Sequence, residues 1–159
     1  MTEPVLLHEY LNADLISVQS EITSRKKLLQ EMARMLSSTL LGAREKDIYH
    51  CLLEREKLGN TGIGNGVALP HSRYEHSNDA IIAIITMKEA IDYDSIDRQP
   101  VNVAFGLLVP SNATSHHLNL LAAIARLMSN QDKKSELLLS QSGVEVLELV
   151  TKWSHEERS

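Results

Sequence analysis

The stretch GNTGIGNGVALPHSR, residues 59–73, decides how the rest of the chain is read. Four of the chain's seven glycines stand in its first eight residues. Val67, Ala68 and Leu69 follow, then Pro70 and His71. Glycines break regular structure, supply positive φ and let other groups approach the backbone closely. Successive backbone N–H groups made accessible in this way form anion-binding nests. The apolar triplet reads as a short strand ended by Pro70, whose ring restricts the approach to His71.

Working outward, residues 24–42 read as an amphipathic helix. Leu28, Leu29, Met32, Met35 and Leu36 recur at helical spacing, Ser24 is the candidate N-cap and Gly42 the stop. A second helix fits residues 45–58, with Ile48, Cys51, Leu52 and Arg55 three to four apart. Beyond the glycine stretch, AIIAIITM (80–87) and VNVAFGLLV (101–109) have the length and composition of buried strands. Ser77-Asn78-Asp79 bounds the first and Pro110 the second. From Thr114 the pattern turns helical, and two short helices follow with Asp132 and Ser142 as candidate caps. Helices, then strands, then helices predict an α/β fold: a three-layer-like sandwich with a central mixed β-sheet flanked by helices. Residues 1–159 are expected to form a single domain.

A formal net charge of -5 argues against a nucleic-acid partner, which selects for basic surfaces. The lone Cys51 makes no internal disulfide and suits a reducing compartment. No signal peptide and no apolar run of membrane-spanning length is visible, so the expected location is cytoplasmic, without membrane insertion.

The glycines do not match the nucleotide patterns. Gly62, Gly64 and Gly66 alternate as G-x-G-x-G with Val67 next, so the dinucleotide pattern G-x-G-x-x-G fails. The Gly-Lys-Ser/Thr of a nucleotide P-loop is absent. No H-E-x-x-H, Cys–His ligand spacing or G-x-S-x-G occurs, which leaves a metal or a serine triad unsupported; no cofactor is expected. A structural connection that needs positive φ remains the rival reading of the loop.

Histidine chemistry fits better. A neutral imidazole has a free lone pair and attacks a phosphoryl group without prior deprotonation, provided one tautomer is held. His71 is the candidate nucleophile; its alternative is a surface histidine after a strand. His116 and His117 fall in the first turn of the helix that Thr114 or Ser115 caps, where the dipole disfavours imidazolium and attracts anions. Arg55 precedes the loop, and guanidinium binds two phosphate oxygens at once. Its alternative is an ordinary surface ion pair.

Residues 55–71, REKLGNTGIGNGVALPH, closely resemble the phosphohistidine signature of fructose/mannitol-type enzyme IIA domains of the phosphoenolpyruvate:sugar phosphotransferase system. Within that family they look most like the nitrogen-regulatory branch. Residues 93–122 are similar to the segment that carries the second active-site histidine. The resemblance implies that His71 is phosphorylated, that His117 stabilises the phosphoryl group and that Arg55 neutralises its charge. It further implies that the loop of Gly62, Gly64, Asn65 and Gly66 shapes the phosphate pocket. Ser72 departs from the family, which usually has Gly, Ala or Cys there, and its hydroxyl stands where it could alter hydrogen bonding near His71. The implied donor is a histidine-phosphorylated HPr-like carrier, with no metal or nucleotide at the site.

Three functions stay open at this level. The first is a regulatory phosphocarrier whose phosphorylation state selects target proteins. The second is a sugar-transport component that passes phosphate to a IIB domain; Asn65 counts mildly against it, because fructose-type members often carry Glu there. The third is an anion-binding module without phosphoryl chemistry.

Overall fold

The computed structural model describes residues 6–156. Its elements run β1 (Ile16–Ser20), α1 (Arg25–Ser37), α2 (Glu45–Leu58), β2 (Gly62–Gly64), β3 (Val67–Ala68), β4 (His71–Tyr74), β5 (Ile81–Ile91), β6 (Val101–Pro110), α3 (Ser115–Met128), α4 (Gln131–Leu139) and α5 (Gly143–Glu156). Two short 3-10 turns, Leu7–Tyr10 and Ala13–Leu15, precede β1.

The six strands form one mixed sheet in the order β1-β5-β6-β3-β2, with β4 also on β6. β6 is the organising strand. It runs antiparallel to β5 on one side and parallel to both β3 and β4 on the other. Val67 faces Val103 and His71 faces Leu107, so β3 and β4 are two halves of one strand interrupted at Leu69-Pro70. Pro70 has no N–H to offer, but its carbonyl still accepts from Leu107 N at 3.0 Å.

Alternation along the long strands separates two cores. Ile82, Ile84, Val103, Phe105, Leu107 and Val109 face α3, α4 and α5. Ala83, Ile85, Ala104 and Leu108 face α1 and α2. The fold is therefore the expected α/β sandwich of a mixed sheet between two helical layers. Gly106 lies on the α1 side, where a Cβ would overlap the side chain of Met32. Its lack of a side chain lets α1 sit close to the sheet.

Several boundaries differ from expectation. The Ser24 hydroxyl caps α1, accepting from Lys27 N at 3.2 Å, but the helix stops at Ser37 rather than at Gly42. The hydroxyls of Ser37, Ser38 and Thr39 donate back to the carbonyls of Arg34, Met35 and Leu36, which competes with continuation of the helix. β5 runs on through exposed Lys88-Glu89-Ala90 to buried Ile91, with a register shift against β6. Asn130, not Asp132, caps α4 by accepting from Lys133 N. Ser142 does cap the last helix, accepting from Glu145 N at 3.2 Å. No helix among the described residues is long and apolar enough to cross a membrane.

Candidate functional site

The glycine stretch is a hairpin, not an irregular loop. Gly62 pairs with Ala68 and Gly64 with Val67, and Leu69 N donates to Thr61 O at 2.9 Å. The turn has φ of 95° at Gly64, 57° at Asn65 and 76° at Gly66. Asn-Gly is the dipeptide that such a tight turn favours, and this was the missed signal in the sequence.

The hairpin carries two separate environments. Its tip is held by side chains from elsewhere. Asn65 N donates to Asp97 Oδ2 at 3.3 Å, and Lys134 Nζ donates to the Asn65 carbonyl. Gly66 O accepts from Asn102 N and Val103 N, whereas His71 lies level with Leu107. Four to five residues along β6 separate the two, roughly 13–16 Å at strand rise. The structure therefore does not bring Asn65 and Gly66 to His71, and the Asn65 amide faces a carboxylate.

The root of the hairpin lies beside His71. Glu56, in the last turn of α2, is only 4% exposed. It accepts from Arg25 Nη2 at 2.9 Å, from Tyr93 OH at 2.6 Å, from Thr61 N at 3.2 Å and from the Thr61 hydroxyl. Burial, and then the Glu56 charge, push the Tyr93 phenol far up. Asn60 adds a bond from Nδ2 to Tyr93 O at 2.8 Å. These contacts tie α1, α2, the hairpin root and the segment after β5 into one unit. The signal that could have found it is helical spacing: Glu56 continues the buried row of Ile48 and Leu52, whereas its neighbour Glu54 falls on the exposed face.

His71 opens β4 and is half-buried. Its Nδ1 lies 2.7 Å from the Leu69 carbonyl. A carbonyl only accepts, so Nδ1 carries the proton and Nε2 holds the lone pair. Burial lowers the pKa from its ordinary value of 6.5; the Leu69 bond opposes this, the Arg55 charge adds to it and the Glu56 charge again opposes it. The ring is thus neutral near pH 7, in a defined tautomer with a free nitrogen.

Arg55 is half-buried and donates from Nη1 to Gly59 O at 2.9 Å, closing the end of α2. It forms no salt bridge among the described residues, so the surface ion-pair alternative does not hold. One N–H of the guanidinium is engaged, which leaves other donors for an anion.

His117 is held the opposite way round. Thr114 N donates to its Nδ1 at 3.3 Å in a capping box, and its Nε2 lies 3.2 Å from Asp79 Oδ1. Here Nδ1 is the acceptor and Nε2 the donor. His116 is exposed and meets Tyr10 OH at 3.2 Å through Nε2. The Ser72 hydroxyl donates to Arg73 O at 3.0 Å and also reaches the Cys51 thiol, so it is not a partner of the His71 ring.

A neutral histidine held on the sheet in one tautomer, with an arginine within electrostatic reach, suits a phosphoryl-acceptor domain of the enzyme IIA kind. Residues 9–153 match the family described as phosphoenolpyruvate-dependent sugar phosphotransferase system, EIIA 2, and the chain belongs to that family. The nitrogen regulatory protein of Klebsiella oxytoca is 34% identical over 146 residues, which cover 91% of this chain and 90% of that protein. The crystal structure of nitrogen regulatory protein IIA-Ntr from Neisseria meningitidis superposes with a TM-score of 0.86 at 36% identity, covering 92% of this chain and 100% of that one. IIA mannitol from Escherichia coli shares the fold, with a TM-score of 0.72 at 19% identity over 87% of this chain and 97% of its own.

Proposed function

We propose that this chain is a regulatory phosphocarrier: a nitrogen-regulatory type enzyme IIA that accepts a phosphoryl group on His71 from a histidine-phosphorylated HPr-like protein. Its phosphorylation state then governs which partner proteins it binds. The observation that carries the reading is the bond from His71 Nδ1 to the Leu69 carbonyl, which leaves Nε2 as the nucleophile.

In the transfer, the Nε2 lone pair forms a bond to phosphorus while the donor's P–N bond breaks. The donor nitrogen recovers the bonding pair. No proton leaves Nε2, because it carried none. The product ring has hydrogen on Nδ1 and phosphorus on Nε2, so it is cationic. The Leu69 carbonyl and the buried Glu56 charge stabilise that cation. Arg55 and His117 supply donors to the phosphoryl oxygens, where charge is spread during transfer. Of the expected pocket loop, Gly62 belongs to the root, while Gly64, Asn65 and Gly66 shape the turn.

Support for the regulatory role over sugar transport comes from relatives above 30% identity that are nitrogen regulatory proteins. The protein is incubated with phosphoenolpyruvate, enzyme I and an HPr-type carrier, and its intact mass is read before and after acid treatment. One acid-labile phosphoryl group, absent in His71→Ala, is the expected result. Full labelling of His71→Ala would remove His71 from the mechanism.

A further inference from the structure

Asp79 was visible in the sequence only as part of a turn before β5, and the structure gives it a partner. Thr114 N donates to His117 Nδ1 at 3.3 Å, so the proton of the neutral ring sits on Nε2. Nε2 lies 3.2 Å from Asp79 Oδ1, which makes the carboxylate the acceptor. The same Oδ1 accepts from Ala80 N at 2.7 Å, which fixes the carboxylate at the start of β5 instead of leaving it free to rotate. The Asp79 side chain is 69% exposed and that of His117 19%, so the contact sits at a rim that water and an incoming group both reach. The Asp79 charge also helps to raise the Tyr10 hydroxyl, after burial as the main cause, and Tyr10 in turn holds His116.

We infer that Asp79 is the acceptor that a phosphoryl group has to displace: it holds the His117 Nε2–H in the unphosphorylated protein and gives it up to a phosphoryl oxygen on His71. The inference rests on the phosphocarrier reading above. No covalent bond changes at His117 or Asp79. One hydrogen bond moves from carboxylate to phosphoryl oxygen, and water rehydrates the exposed carboxylate. His117 has a single ring N–H in its neutral form, and a carboxylate and a phosphoryl group, both anionic, compete for it. Asp79 therefore acts through His117 as a positioning residue, and it lowers the level of phosphorylation at a given donor ratio.

The test uses the full chain, Asp79→Asn and Asp79→Ala, each equilibrated with an HPr-type carrier at a fixed ratio of phosphorylated to free form. The equilibrium constant for phosphorylation is expected to rise about two- to five-fold in Asp79→Ala, the range of an exposed charge pair. Asp79→Asn, which still accepts through its amide oxygen but carries no charge, is expected between the two. In parallel, nitrogen NMR of the unphosphorylated proteins reads the His117 Nε2–H, whose hydrogen bond to the carboxylate is expected to weaken in Asp79→Asn and to be lost in Asp79→Ala. A lost Nε2–H bond with an unchanged or smaller phosphorylation constant overturns the displacement and leaves the phosphocarrier reading standing. An Nε2–H signal unchanged in Asp79→Ala overturns the Asp79 contact itself. A wild-type protein that takes no phosphoryl group overturns both the reading and the inference.

Discussion

At its tip, the glycine hairpin is shaped by backbone geometry and two surface contacts. Gly64, Asn65 and Gly66 take positive φ in succession, and the turn is fastened by Asp97 and Lys134. At its root, five residues along, the same hairpin is fastened by a buried carboxylate that four donors satisfy, and there it meets His71. One short motif thus contains a fold element and a chemical element side by side. The difference shows that a glycine-rich signature does not have to mean that every glycine faces the ligand.

The comparison is sharpest at His71. His71→Ala should abolish phosphoryl transfer with the fold retained, measured by intact mass and circular dichroism. Next, Glu56→Ala removes the acceptor of the Tyr93 and Thr61 hydroxyls, which keep only each other at 2.9 Å, and the ion-pair partner of Arg25. It should cost about 3 kcal/mol in urea unfolding, at the low end for a broken buried pair because Arg25 is 29% exposed. If Glu56→Ala unfolds at the wild-type urea concentration, the root is no more anchored than the tip. His117→Ala removes a donor rather than the nucleophile, so phosphate should still be accepted, at a rate lower by about a hundredfold. Wild-type rates there would confine the site to the hairpin root.

The smaller effects probe the tip and the titration. Gly66→Ala places a Cβ at a φ of 76°, near Lys134 Nζ, and should cost about 1–2 kcal/mol while leaving phosphoryl transfer unchanged. Lost transfer in a folded Gly66→Ala protein would erase the distinction between the two ends. Finally, the folded His71 ring binds a proton less tightly than its ordinary value of 6.5. The unfolded chain then holds more protons as pH drops, so this contribution to stability is complete above about 6.5 and is lost as pH falls below it. Unfolding measured across that window should show stability rising with pH, with a flatter slope in His71→Ala.

How legible the fold was depended on how local each cause is. The helix of residues 45–58 was readable to its ends because its periodicity is local and Gly59 follows directly as the stop. The helix before it ended early because three hydroxyls bond backwards, an outcome that competes narrowly with helix in sequence terms. β5 continues past a Lys-Glu pair that reads as a strand end, since the pairing with β1 ends at Met87 and the register against β6 shifts there, leaving those charges exposed while Ile91 returns to the core. At the candidate site, the places of His71, Arg55 and His117 at a strand start, a helix end and a helix first turn were legible from motif and spacing. The partners of Glu56 and Asp79 were not, because they lie 5 to 38 residues away and only the assembled sheet brings them together.

The atom that decides the tautomer of His71 belongs to the main chain. A substitution at Leu69 exchanges a side chain and leaves that oxygen in place, so no point mutation deletes the partner directly. The acceptor on His117 Nε2 is instead a side chain, and a single codon change removes it. On the proposed reading, the nucleophile is thereby buffered against mutation, while the strength with which His71 would hold a phosphoryl group is left open to adjustment one residue at a time.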